Sequence, residues 1–451
     1  MLSNHIQYLA TYMSSNKIAV CWLRRDLRLQ DNAALYHALK SGYNVLPLFI
    51  FDKIILDELE EKADRRVEFI RNVIDEMQDE LKELGSSMIV EYGEPKKVWK
   101  ELLEKHNIAE VYANHDYEKY AIERDKEICE MLNEQGIAFY TSKDQTIFEK
   151  NEVLTNSDTP YKVYTPYSKS WKEKLDDFYM KSYPTEKYFK NLLGSNVRHR
   201  VPSLEFMGFE AVGDPFPDKK IRKKLIEEYD KKRDIPAAEA TSEISIHLRF
   251  GTVSIRELVR RAKDLNETFL NELIWRDFYM NILWHFPHIS ERKSFRKEYD
   301  NIEWRNNEEE FQKWCEGKTG FPIVDAGMRQ LNETGFMHNR VRMITSSFLI
   351  KDLLVDWRWG EAYFAKKLRD FEFSSNNGGW QWAAGSGVDA APYFRVFNPD
   401  SQTQKFDPDK KYIKKWIPEF GTDEYPEPMV DHKEARERAL RVYKEGLDKK
   451  E

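Results

Sequence analysis

The chain has 451 residues, of which 41% are hydrophobic and 33% charged, and its formal net charge is −7. This length predicts two domains, or three at most, with room for large cores. The acidic balance argues against non-specific nucleic-acid binding, so any contact with phosphates has to rely on a local basic face. Cys21, Cys129 and Cys315 are widely separated, which excludes a disulfide framework and a CxxC-type zinc site and fits a reducing compartment.

No segment is typical of export or of membrane insertion. The first sixteen residues, MLSNHIQYLATYMSSN, lack the charged start, apolar core and cleavage pattern of a signal peptide. No apolar run approaches the ~18 residues that a membrane span needs. We therefore expect a cytoplasmic protein without a membrane partner, associated with the nucleoid if the source is bacterial.

Short apolar runs alternate with amphipathic stretches from residue 17 to about 145. Val67, Ile74 and Leu81 belong to one apolar helix face, and Gly85 follows where a left-handed residue would end that helix. This alternation predicts a doubly wound parallel sheet covered by helices. No GxGxxG or GxxxxGK[ST] motif is present, which argues against a conventional NAD or ATP site. The predicted strands are KIAVCWL (17–23), NVLPLFIF (44–51), SMIVEY (87–92) and AEVYAN (109–114).

The strand pattern stops after this region. Residues 146–217 are rich in Pro, Ser, Asn and Lys and read as a connection. Long amphipathic helical patterns follow from about residue 218. The predicted organisation is an α/β domain at 15–145, a connection at 146–217 and a larger all-helical domain at 218–451.

Two clusters in the helical region contain side chains suited to binding a ligand. The segment Ala-Thr-Ser-Glu-Ile-Ser (240–245) supplies N-cap side chains and free N–H groups that favour an anion such as pyrophosphate, although most such segments only start a helix. Glu272, Trp275, Arg276 and Tyr279 lie three and four residues apart, hence on one helix face. They could stack on and hydrogen-bond a base taken out of a duplex; the alternative is a surface Glu272–Arg276 ion pair with Trp275 in the core.

Two further clusters follow. MHNRVRM (337–343) is helical and places Asn339, Arg342 and Met343 on one side. RDFEFSSNNGGWQW (369–382) combines paired Asn and Gly residues, which allow close approach of the backbone to a ligand, with two tryptophans.

Four segments together resemble the cryptochrome/photolyase family, over nearly the whole chain and most strongly over about 220–420. The resemblance implies an FAD-binding helical domain and an antenna chromophore at the α/β domain. It also implies light-driven electron transfer from reduced FAD that splits cyclobutane pyrimidine dimers in DNA, by a monomeric enzyme without a metal. The segments are WLRRDLRLQDNAAL (22–35), NELIWRDFY (271–279), KTGFPIVDAGMRQLNETGFMHNRVRM (318–343) and NNGGWQWAAGSGVDAAPYFRVFNP (376–399).

The resemblance also implies roles for single residues. Asn377 would lie near flavin N5, and Arg342 would pair with Asp370 against the isoalloxazine ring. Glu272 would hydrogen-bond the dimer, between Trp275 and Trp382. Trp380, Trp357 and Trp304 would form the chain that photoreduces oxidised flavin. Expected to hold FAD are Tyr229, Thr241, Ser242, Glu243, Ile244, Ser245, Arg342, Asp370, Glu372 and Asn377, and expected to contact DNA are Glu272, Trp275, Arg276, Tyr279, Asn339, Arg340, Met343, Gln381 and Trp382.

The combination of Asn339 and Met343 resembles the residue pattern of the class I cyclobutane-dimer photolyases. The alternatives are a signalling cryptochrome and a photolyase for (6-4) or single-stranded lesions.

Two positions depart from the family pattern. Glu372 stands where Asp is usual, so a flavin contact could shift, and Tyr120-Ala121 replaces the Asn-Glu pair of folate-binding members. Folate is therefore the least supported antenna, and a deazaflavin, another flavin or an empty site stay open.

Overall fold

The computed structural model describes residues 17–238 and 240–449. The predicted absence of a signal peptide and the predicted domain start at residue 15 both lie outside the described residues. Two compact units are present. The sheet unit consists of the described residues up to Ile147 with Leu175–Lys219 and Ile246–Arg260, and the helical unit of Phe148–Lys174, Lys220–Ser245 and the described residues from Arg261 onward.

The sheet unit is built on five parallel strands in the order β3-β2-β1-β4-β5. The four apolar runs that predict strands all form them. The fifth strand was missed because it lies at the edge and keeps its side chains half-buried or exposed, so it has no buried apolar run. The strands are β1 Ile18–Leu23, β2 Asn44–Asp52, β3 Ile89–Gly93, β4 Ile108–Asn114 and β5 Ala138–Ser142.

The predicted amphipathic helix spans Arg65–Glu83. Asp64 caps its N-terminus by accepting a hydrogen bond from the Arg66 backbone N–H. Its buried face includes Val67, Ile74, Met77 and Leu81, as the spacing predicts. Gly85 has a φ of +73°, the left-handed conformation expected just past the helix end. The other helices before residue 148 are Ala33–Leu39, Lys53–Asp57, Pro95–Lys105 and Lys119–Glu134.

After β5 the described chain is helical, which confirms the predicted fold class. The region read as a connection contains the helix Tyr164–Lys174, with buried Tyr167 and Trp171, and the compact units interleave in sequence. The contiguous domain boundaries therefore stay predictions. The α-helices from here on are Tyr164–Lys174, Asp177–Met180, Lys223–Glu227, Tyr229–Lys232, Ser245–Phe250, Ile255–Leu265, Glu267–His285, Glu308–Glu316, Pro322–Thr334, Asn339–Ser347, Trp357–Lys367, Phe373–Ala384, Pro399–Phe406, Lys411–Trp416 and His432–Asp448.

None of the helices formed by residues 17–238 and 240–449 is both long and apolar enough to cross a membrane.

Glycines allow three helices of the helical unit to pack closely. A Cβ atom at Gly378, in the helix Phe373–Ala384, would lie 2.3 Å from the ring of Tyr279 in the helix Glu267–His285. A Cβ atom at Gly360, in the helix Trp357–Lys367, would lie 2.1 Å from the ring of Trp380. The helix Phe373–Ala384 is thereby held against a neighbour on each of two faces, and only glycine fits at either contact.

Gly378 and its neighbour Gly379 offer a matched pair of substitutions. A Cβ atom at Gly379 would meet no atom within 4 Å. We expect Gly378→Ala to lower the free energy of unfolding by about 1–3 kcal/mol through overpacking. Gly379→Ala should leave it unchanged or raise it by about 0.5–1 kcal/mol, because alanine is the better helix former. Thermal unfolding midpoints check this, and equal midpoints for the two variants would contradict the close packing on Tyr279.

Candidate active site

Asp370 is the centre of the polar cluster predicted to hold FAD. Its carboxylate accepts hydrogen bonds from the Arg342 guanidinium at 2.9 Å and from Ser245 Oγ at 2.6 Å. Arg342 is fixed further by a 2.8 Å bond from its Nε to the Met337 carbonyl. The predicted Arg342–Asp370 ion pair is therefore present, and Asp370 itself is buried.

The neighbouring segment 240–245 lies against the same cluster. Arg369, the residue before Asp370, forms an ion pair with Glu243, which adopts a positive φ of 48°. Ile244 is buried, whereas Thr241 and Ser242 are half-buried. The predicted phosphate-holding segment and the predicted Arg–Asp pair thus meet in one place, although they are about 100 residues apart in the sequence.

Glu372 and Asn377 make hydrogen bonds at the start of and within the helix Phe373–Ala384. The Glu372 carboxylate accepts hydrogen bonds from the Ser375 backbone N–H at 3.1 Å and from the Ser374 hydroxyl, so it acts as the N-cap. Its longer side chain folds back on its own helix. Asn377 is buried and its Oδ1 accepts a 2.9 Å bond from Gln381 Nε2. Tyr229 packs its ring edge-on against Phe269 at 5.1 Å.

The chemistry of this cluster fits FAD. Hydroxyl groups and backbone N–H groups at 241–245 suit a diphosphate. A guanidinium–carboxylate pair and a buried amide offer donors and acceptors to a flat heterocycle. Arg342, Asp370, Ser245 and Asn377 are the residues of this chain that would hold it.

The predicted lesion-binding face lies on the helix Glu267–His285. Glu272 forms an ion pair with Arg233, and the Glu272–Arg276 pair considered from the sequence remains an alternative. Burial raises the pKa of the Glu272 carboxyl, and Arg233 lowers it in part. Trp275 and Tyr279 are half-buried and their rings lie 5.4 Å apart.

The second predicted group lies on the helix Asn339–Ser347. Arg340 donates to Asp234 at 2.8 Å and stacks on the ring of Phe406 at 4.5 Å. Asn339 is exposed at the start of the helix, and Met343 Sδ lies 3.6 Å from the Arg340 guanidinium. Arg340 and Met343 are thus adjacent on this helix.

Trp382 and Gln381 differ in their surroundings. Trp382 is half-buried with its ring 6.5 Å from Phe397. Gln381 is 2% exposed; its Oε1 accepts from the Phe295 backbone N–H at 2.8 Å and its Nε2 donates to Asn377. A direct contact of Gln381 with DNA stays a prediction, because both ends of its amide are engaged inside the protein.

The three predicted electron-transfer tryptophans all lie in the helical unit. Trp380 and Trp357 are 3% and 2% exposed, whereas Trp304 is half-buried with its ring 5.8 Å from that of Tyr443. Their role in the light-driven reduction of the flavin stays a prediction. In the sheet unit, Tyr120 donates its hydroxyl to Asp52 at 2.7 Å, and the expectation against a folate antenna stays a prediction.

Sequence reasoning missed three side chains that shape this site. Tyr164 stacks on Trp275, Asp234 pairs with Arg340, and Glu361 accepts a 2.8 Å bond from Asn376. Tyr164 lies in the region read as a connection, and no periodic pattern singles it out. Asp234 lies outside the predicted clusters, and its partner Arg340 is 106 residues away.

Comparisons with known proteins agree with this geometry. A family model for the FAD binding domain of DNA photolyase matches residues 269–422, and one for DNA photolyase matches residues 19–187. The deoxyribodipyrimidine photo-lyase of Vibrio cholerae is 36% identical over 94% of this chain and 98% of its own length. The chain therefore belongs to the DNA photolyase family of FAD-binding enzymes, which confirms the resemblance and the cofactor expected from the sequence.

Two solved structures are similar over nearly the whole chain. A class III photolyase from Agrobacterium tumefaciens is 30% identical with a TM-score of 0.85, and covers 96% of this chain and 98% of its own. An archaeal photolyase from Sulfolobus tokodaii, solved with two FAD molecules, is 36% identical with a TM-score of 0.81, and covers 95% and 99%. These two relatives share the fold and the family.

His338, next to the site, makes the stability of the fold depend on pH. It is buried, and its Nδ1 accepts a 3.1 Å bond from the Arg340 backbone N–H as the N-cap of the helix Asn339–Ser347. Burial lowers its pKa from 6.5 to about 4. Between about pH 6.5 and pH 4 the unfolded chain binds a proton at this histidine, whereas the folded protein does not. The free energy of unfolding therefore has its full value above about pH 6.5 and falls as the pH drops to about 4.

We expect His338→Asn to retain the cap without the titration, since asparagine is a good N-cap residue. The free energy of unfolding of the wild type should fall more steeply between pH 6.5 and 4, with a difference on the order of 3 kcal/mol at the acid end. Urea titrations of both proteins across this range measure it. Parallel pH profiles would rule out a buried neutral His338.

Proposed function

We propose that this photolyase is a class I enzyme that splits cyclobutane pyrimidine dimers in DNA. The observation that carries the proposal is the contact of Tyr279 with Gly378. It brings the helix with Glu272 and Trp275 against the helix with Asn377 and Trp382, so the candidate lesion and flavin residues share one region of the helical unit. The assignment to class I rests on Asn339 and Met343, and a cytoplasmic location and a monomeric state belong to the same proposal.

FAD, when bound and reduced, supplies the light-excited electron donor, and the protein contributes position and electrostatics. The Arg342–Asp370 pair and Ser245 would orient the flavin. Arg342 donates to both Met337 and Asp370, Asp370 is buried, and Ser245 donates to the same carboxylate. Asn377 would present its amide toward the same ring. It is kept in one rotamer by Gln381, which is held in turn by Phe295.

Glu272 would hold the dimer through a hydrogen bond to a pyrimidine. Burial raises the pKa of its carboxyl, and the neighbouring Arg233 opposes that shift. Arg233 keeps this side chain in a defined position before the lesion arrives. Trp275 and Trp382 would flank the flipped-out dimer by stacking, and Arg340 and Asn339 would contact the strand that carries it.

A direct assay tests the proposal. The purified protein, with its flavin reduced, is mixed with an oligonucleotide that contains one cyclobutane thymine dimer, and is illuminated with near-ultraviolet or blue light beside a dark control. We expect intact thymines to reappear only in the light. Flavin that is bound and reduced without any repair in the light would overturn the proposed function, and repair of a (6-4) product instead would overturn the choice of lesion.

Substitution of Glu272 tests its contact with the lesion. We expect Glu272→Ala to weaken binding to dimer-containing DNA by about 10- to 100-fold, the effect of losing a hydrogen bond to a charged group, and to lower the repair yield. Glu267→Ala is the matched control, since Glu267 lies in the first turn of the same helix and pairs with Lys172 at the surface. Equal behaviour of the two variants would contradict the assigned role.

Substitution of Trp380 separates flavin activation from repair. We expect Trp380→Phe to slow light-driven reduction of the oxidised flavin at least tenfold, because a phenyl ring is far harder to oxidise than an indole. Repair by chemically reduced protein should remain. Trp359→Phe is the control, as Trp359 packs on Phe311 at 5.3 Å and lies outside the predicted chain. Bleaching of the flavin absorbance under light measures the effect, and unchanged bleaching in Trp380→Phe would exclude Trp380 from the route.

A further inference from the structure

Trp275, which shares a helix face with Glu272, has an aromatic stacking partner. The ring of Tyr164 stacks on its indole with 3.7 Å between ring centroids and only 4° between the planes. Both residues belong to the helical unit. A parallel stack this close keeps a second flat ring off that face of the indole, because nothing flat fits between two rings at van der Waals separation.

Tyr164 is itself anchored at two points. Its hydroxyl donates to the Asn271 carbonyl at 2.9 Å, one turn before Trp275 on the same helix. Its backbone N–H donates to Asp389 Oδ2 at 3.2 Å, in the segment that follows the helix with Trp382. Burial raises the pKa of Tyr164, so the hydroxyl stays protonated and remains a donor. Tyr164 therefore joins the helix that carries Trp275 to the segment that follows the helix with Trp382.

Two further aromatic rings, those of Phe278 and Tyr279, contact Trp275. Phe278 packs edge-on at 5.6 Å and Tyr279 is tilted at 5.4 Å. Trp275 is half-buried, so part of the indole stays open to a ligand. With one face taken by Tyr164, a flat ligand can stack only on the opposite face.

We infer that Tyr164 is a positioning and specificity-determining residue for the lesion, because it covers one face of Trp275 and fixes the plane in which the other face meets a flipped-out pyrimidine dimer. The inference rests on the proposed function. A stacking platform that is already fixed loses less conformational freedom when the ligand binds, and binds it more tightly for that reason. Undamaged duplex keeps its bases stacked inside the helix and does not reach the platform. Tyr164 thus contributes to discrimination between damaged and undamaged DNA.

Two variants separate the ring from the hydroxyl. Tyr164→Leu removes the stack, and Tyr164→Phe keeps it and removes only the bond to the Asn271 carbonyl. The matched control is Tyr161→Leu, which removes a ring that packs edge-on against Tyr167 at 6.1 Å. For each holoenzyme the dissociation constants for a dimer-containing oligonucleotide and for its undamaged counterpart are measured, together with flavin content and the plane of Trp275 in a crystal structure.

We expect Tyr164→Leu to reduce the ratio of damaged to undamaged affinity by about three- to tenfold. Flavin content and undamaged-DNA affinity should not change. Tyr164→Phe and Tyr161→Leu should stay within about twofold of the wild type. The indole of Trp275 should keep its plane in Tyr164→Phe and leave it in Tyr164→Leu.

Three results would overturn the inference. The first is full discrimination in Tyr164→Leu. The second is tighter lesion binding in that variant, which would mean that Tyr164 occupies the place of the lesion. The third is an equal loss in Tyr164→Phe, which would assign the effect to the hydroxyl. Failure of the proposed function would give a different result. The wild type itself would bind damaged and undamaged DNA equally, whereas the plane of the Trp275 indole would still change in Tyr164→Leu alone.

Discussion

The carboxylate of Asp370 joins three parts of the helical unit that are far apart in the sequence. It accepts from Arg342 on one helix and from Ser245 at the end of the segment 240–245, and the helix Phe373–Ala384 begins three residues later. A buried carboxylate is stable only with such partners, and removal of one partner of a buried pair typically costs about 3–5 kcal/mol. The candidate flavin-binding residues depend on this junction, because it holds their three chain segments together.

A second pair of contacts organises the candidate lesion side. The consecutive residues Arg233 and Asp234 reach two different helices: Arg233 pairs with Glu272, and Asp234 pairs with Arg340. One short segment thus sets the charge environment of both candidate lesion-binding groups. Glycine at position 378 lets Tyr279 lie directly on the flavin-side helix, so the two sides approach as closely as packed side chains allow.

Much of the fold was predictable because local patterns decide it. The four predicted strands each contain a short run of buried apolar residues, and the helix Arg65–Glu83 has a single apolar face and a left-handed glycine after its end. The strand Ala138–Ser142 was not predictable in this way, since none of its five residues is buried and it shows no such run. The helix Tyr164–Lys174 was missed too, because its only buried residues are Tyr167 and Trp171 and the segment before it is rich in turn-forming residues.

The sequence alone determined which residue types are available and which of them share a helix face: Glu272 with Trp275 and Tyr279, and Asn339 with Arg342 and Met343. Helical periodicity is a local property, so spacing is enough to establish it. Only the tertiary structure decided the partners. Glu272 pairs with Arg233, Asp370 binds Ser245, and Tyr164 stacks on Trp275. Each of these contacts joins residues about 40 to 125 positions apart, and their meeting depends on how the helices pack, which no local pattern encodes.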